Sequence, residues 1–128
     1  MRIPRPFARI SAVAFLAGGM ALDVHAAEEG DFRYDSTQDL YDVCSVKQGE
    51  PEHIPAMLAC RAFIEAAVQY HDAVSDRKNL KRLICYPKNA TIADGKAAFL
   101  AWVEKNQGDM EAMNELPVVG LVRALASR

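Results

Sequence analysis

The chain has little of what catalytic and metal-binding sites are built from. It holds three histidines in 128 residues, and one of them, His25, falls in the N-terminal leader. His53 and His71 have no second histidine or cysteine at metal-ligand spacing. No Cys-x-x-Cys pair offers a thiol-redox motif, and no glycine-rich loop offers a phosphate cradle. A nucleophilic pair of Cys85 and His71 would rest on one cysteine and one histidine, which is thin support for catalysis. Runs that alternate apolar and polar residues over a strand's length are absent, as are repeats and low-complexity stretches. No cofactor is implied, and the residues make no case for an enzyme.

What is present begins with an address. Arg2, Arg5 and Arg9 precede an apolar run from Ile10 to Leu22, too short to span a bilayer comfortably. Val24-His25-Ala26 suits a small-residue cleavage site, and no lipobox cysteine follows. Residues 1–26 are therefore expected to be a secretory signal, leaving a protein with no membrane attachment. Removing three arginines and one aspartate from a chain of formal charge −2 leaves −4. That balance argues against nucleic acid as a partner. Residues 27–35 are expected to be a flexible polar leader, and 36–128 a single domain.

The periodicity is helical throughout. The stretch 55–76 is rich in alanine, with Pro55 suited to a first helical position. Met57, Cys60, Ile64, Val68, His71 and Val74 recur at helical spacing, widened by Phe63, Ala67 and Tyr70. A helix so apolar around its girth is expected to be central, with neighbours on several sides. Ser36-Thr37-Gln38-Asp39 and Thr91-Ile92-Ala93-Asp94 have the form of capping boxes with Asp replacing Glu. They open helices to about Lys47 and Asn106. A last helix runs from about Glu115 to Ala126, with Val118, Leu121, Val122 and Leu125 as its stripe. Leu80, Leu83 and Ile84 suit a further turn of helix packed on the core. The predicted fold is all-α, a small up-and-down bundle of about four main helices around the 55–76 helix.

In an oxidising compartment the three cysteines, Cys44, Cys60 and Cys85, leave one unpaired. Cys44 ends the first helix and Cys60 starts the next, so a helical hairpin brings them face to face. The pair Cys44–Cys60 is predicted. The rival, Cys60–Cys85, would need the chain to return along the central helix, about 25 Å at helical rise. Cys85 is then a free thiol or bridges two chains, and a small buried hydrophobe is the plainer role for it. His53 sits in a proline-flanked loop, and His71 reads as a satisfied core histidine. Asp39 and Asp42 read as a solvated helix edge. Asn89-Ala90-Thr91 matches a glycosylation sequon but reads better as the approach to a helix cap. Arg77, Lys78, Lys81, Arg82 and Lys88 gather in one basic cluster on an acidic domain. It is either an ordinary solvated helix end or a patch that steers a protein partner. In the second case charge reversal at Lys81 and Arg82 should slow association.

Taken in order, Asp39-Leu40-Tyr41-Asp42-Val43-Cys44, Ala59-Cys60-Arg61-Ala62-Phe63-Ile64, Cys85-Tyr86-Pro87, Trp102-Val103-Glu104 and Leu121-Val122-Arg123-Ala124-Leu125 form a set. This set resembles the Rap/Tai family of type VI secretion immunity proteins over almost the whole domain. The resemblance implies a small helical periplasmic protein, often a homodimer, that occludes the active-site groove of a peptidoglycan amidase effector. Many members carry a cysteine just past the last helix, where this chain has Ser127-Arg128. That difference implies that Cys85 has no partner within the chain. Two other roles fit the sequence: a periplasmic acid-stress holdase, and a family domain without a toxin partner.

Overall fold

The structure, a computed structural model, describes residues 27–126. The expected signal over 1–26 lies outside the described residues, as do Ser127 and Arg128. Five α-helices follow a 3-10 turn at Glu29–Arg33: α1 Thr37–Ser45, α2 His53–Lys78, α3 Ile92–Asn106, α4 Met110–Asn114 and α5 Pro117–Ala126. No strand occurs among the described residues, and the chain forms the small helical bundle that its periodicity predicts. None of these helices is long and apolar enough to cross a membrane.

The helix starts follow from local chemistry. Ser36 Oγ accepts the Asp39 N–H at 3.2 Å, and the Asp39 carboxylate accepts the Ser36 N–H at 2.8 Å. Thr91 and Asp94 repeat the arrangement at the head of α3, at 3.2 and 2.8 Å. Each pair satisfies two backbone donors that a helix start leaves open. Thr91→Ala is expected to lower unfolding free energy by about 1 kcal/mol, measured by urea denaturation. The last turn of α2 ends on Asn79, at φ 48°. Its N–H, and that of Leu80, return to the Ser75 carbonyl. Asparagine tolerates this left-handed cap better than most side chains.

Helix α1 occupies the centre. It touches every other helix and the 3-10 turn. Thr37, Leu40, Asp42, Val43 and Cys44 on its nine residues are buried. Around it lie Ile64 from α2, Phe99 and Val103 from α3, Met113 from α4 and Leu121 from α5. The 3-10 turn ahead of α1 packs against it. Ala27 is buried, Phe32 and Tyr34 pack on the cluster, and the Tyr34 ring meets Phe63 at 5.0 Å.

The long helix is present, two residues longer at each end than the 55–76 predicted, but it is enclosed on one side only. Ala56, Cys60, Ile64 and Ser75 are its buried residues. Met57 and Tyr70, assigned above to its inward stripe, are exposed, Tyr70 by 73%. At about 1.5 Å per residue α2 is roughly 39 Å long, and α1 and α3 are the helices packed against it. Neighbours on several sides would need a larger bundle.

Candidate functional site

The Cys44 and Cys60 sulfurs are bonded, with the two Cα atoms 5.0 Å apart, and both residues are buried. This is the hairpin pairing read from the sequence. It fixes α1 to the first turns of α2. Cys85 is free and exposed. The buried role expected for it does not hold, because the segment carrying it runs outside the bundle instead of folding in.

That segment, between α2 and α3, carries Cys85 and three of the five basic residues singled out in the sequence, Lys81, Arg82 and Lys88. Leu80 and Leu83, expected on a further helical turn, are 54% and 66% exposed, and the chain there is not helical. The left-handed turn at Asn79 directs the chain away from the α2 axis. Ile84 alone of the three reaches the core, at 3% exposure. Arg77 and Lys78 stand in the last turn of α2, and Lys81, Arg82 and Lys88 follow, all exposed. They do not act as one group. Arg82 donates to Asp72 at 3.0 Å and to Asp76 at 2.7 Å. The Asp76 hydrogen bond, with the charges of Asp76 and Asp72, holds its guanidinium protonated beyond its ordinary range. The other four cations have no carboxylate partner among the described residues.

His71 is the satisfied histidine expected. Its Nε2 accepts the N–H groups of Leu83 and Ile84 at 3.2 and 3.3 Å, and its Nδ1 lies 3.0 Å from Asp72. With Nε2 engaged by two backbone donors, His71 offers no base to Cys85. His53 is not in a loop but in the first turn of α2, with Nδ1 buried and without a hydrogen-bond partner among the described residues. Asp39 caps α1. Asp42 is not a solvated edge: it is 7% exposed and accepts from Gln38 Nε2 at 2.8 Å. No group of three or more His, Cys, Asp or Glu side chains is placed to hold a metal among the described residues.

Two apolar hollows flank the start of α3. One, about 220 Å³, lies between Ile64 and Val68 of α2, Ile84 and Tyr86 of the connecting segment, and Leu125 of α5. Burial first, and then the Asp72 charge, push the Tyr86 phenol above its ordinary range, so it stays neutral at physiological pH. The other, about 340 Å³, lies between Met57, Leu58 and Arg61 of α2 and Ile92, Ala93 and Lys96 of α3. Leu58, 57% exposed, escaped the sequence reading. Its one signal was its position off the Cys60–Ile64 stripe.

The described side chains thus present two apolar hollows and an exposed, basic connecting segment. No curated protein and no solved structure matches the chain. Residues 36–128 match the family described as Rap1a immunity proteins. With that match covering the helical domain from the Ser36 cap onward, the chain belongs to the Rap1a immunity protein family.

Proposed function

We propose that the chain is a periplasmic immunity protein that binds a peptidoglycan amidase effector of type VI secretion and occludes its active-site groove. The observation that carries this reading is the family match over 36–128. Its location follows from residues 1–26, read as an export signal cleaved after Ala26, so N-terminal sequencing of the exported protein should begin at Ala27. Cells forced to export such an amidase should survive when they also make this chain. Deletion of residues 2–26, which would leave it in the cytoplasm, should abolish protection. Equal protection by the two forms would remove the periplasmic site of action.

The face that meets the effector is assigned to the segment after α2. There Leu80 and Leu83 present apolar surface beside Arg77, Lys78, Lys81 and Lys88. Apolar side chains near cations that have no carboxylate partner among the described residues suit an acidic protein surface. Arg82, held by its two aspartates, belongs to the scaffold of this face, so it is a poor choice for charge reversal. Lys81→Glu with Lys88→Glu is expected to slow association with an inhibited amidase about tenfold at low salt, with less effect at high salt. Unchanged association rates at low salt would place the contact elsewhere.

A further inference from the structure

The stretch 80–91 is not helical, yet it keeps Ile84 buried. Polar side chains of α2 do the holding. His71, with its side chain 9% exposed, accepts the Leu83 N–H at 3.2 Å and the Ile84 N–H at 3.3 Å through Nε2. A ring nitrogen that accepts two backbone donors carries no proton. Nδ1 therefore carries it and donates to Asp72 Oδ1 at 3.0 Å. Arg82 ties the same segment to α2 through Asp72 and Asp76. The Tyr86 ring stands edge-on to His71, with centroids 6.5 Å apart.

From this geometry we propose that His71 is an acid-sensitive latch on the segment 80–87. Neutral, its Nε2 lone pair holds the Leu83 and Ile84 amides. A proton added at Nε2 takes that lone pair, so both N–H···N bonds break and the ring gains a positive charge. Ile84 then loses its anchor, and the wall that Ile84 and Tyr86 give the 220 Å³ hollow opens. The latch is closed while His71 is neutral and opens as pH falls.

The surrounding charges act on the latch in opposite directions, Asp72 favouring the protonated ring and Arg82 opposing it. Asp72 attracts an imidazolium, but its carboxylate already pairs with Arg82, whose own charge opposes a second cation nearby. Asp76 is engaged through Arg82. Tyr86 is neutral, and Cys85 and Asp94 are the other titratable groups lining the hollow. The release therefore depends on the loss of the Nε2 acceptor, with Asp72 staying bonded to Nδ1.

The latch can be read without any partner. The ¹⁵N resonances of His71 give its tautomer and its protonation, and amide hydrogen exchange reads Leu83 and Ile84. At neutral pH Nε2 is expected to be unprotonated. As His71 protonates, the two amides should exchange about tenfold faster after correction for intrinsic rates, the ratio that one ordinary hydrogen bond commands. Amides of Cys60 and Phe99 should stay protected. His71→Gln, which keeps an acceptor that does not titrate, should hold the two amides protected through the same range. A proton on Nε2 at neutral pH, or protection unchanged while His71 titrates, would overturn the proposal even if His71→Gln failed to fold.

Its effect on binding rests on the immunity reading. An amidase that the protein inhibits should dissociate faster on acidification from the wild type than from His71→Gln. Equal dissociation would detach the latch from binding, whereas failure to inhibit any amidase would count against the immunity reading alone.

Discussion

Replacing both bonded cysteines, as Cys44→Ala with Cys60→Ala, is expected to lower the free energy of unfolding by about 3 kcal/mol. The bond joins positions 16 apart in sequence, so it restrains a loop of moderate length in the unfolded chain. Its structural leverage is larger than its loop. Helix α1 has nine residues, too few to be stable alone, and it touches every other helix. The bond fixes that short hub to the longest element. Urea denaturation of the oxidised wild type and the double variant measures the loss. Two truncated buried side chains add to the entropic term, so reduction of the wild type with a thiol serves as a second comparison. Equal midpoints for the oxidised and reduced protein would show that the bond holds nothing that packing does not already hold.

Gly120→Ala is expected to cost about 2 kcal/mol, although alanine is the better helix former. A Cβ at position 120 would overlap the Thr37 side chain, approaching both Oγ1 and Cγ2. Thr37 cannot easily yield. It is fully buried, its N–H donates to the Glu115 carbonyl at 2.8 Å, and its hydroxyl is shared between the carbonyls of Glu115 and Leu116 at 3.1 and 3.3 Å. Those bonds press the start of α1 against the start of α5. Overpacking of about 3 kcal/mol, less a helix-propensity gain of about 1 kcal/mol, gives the net figure. Adding Thr37→Ala to Gly120→Ala should recover part of the loss, so the two substitutions should be less than additive. Strict additivity in a double-mutant cycle would mean that the two side chains do not compete for the same space.

The parts of this fold that were legible in the sequence are those fixed by neighbouring residues. Ser36 with Asp39 and Thr91 with Asp94 form the caps their spacing predicts, because a capping box needs only its own four residues. The Cys44–Cys60 pairing was legible because the short loop between two helices leaves little freedom. Burial on α2 was not. Cys60 and Tyr70 both lie on its apolar stripe, yet one is buried and the other 73% exposed, because periodicity marks a face without saying how far the neighbours extend. Likewise Val118 is exposed while Gly120 is buried, since α5 approaches Thr37 of α1 closely at Gly120. The departure at 80–84 comes from one left-handed residue, Asn79, and one histidine whose ring nitrogen accepts two backbone N–H groups 12 and 13 positions away. No local pattern announces such a bond. For the same reason the basic cluster read as five equivalent charges, when Arg82 is committed to Asp72 and Asp76.

The role proposed for this chain is that of a stopper for another protein's active site. Its most direct test is a titration of purified protein into peptidoglycan cleavage assays with a panel of type VI amidase effectors. The account predicts that one amidase in the panel loses all activity at a one-to-one molar ratio, with no consumption of the inhibitor. Undiminished cleavage by every amidase at molar excess would contradict it.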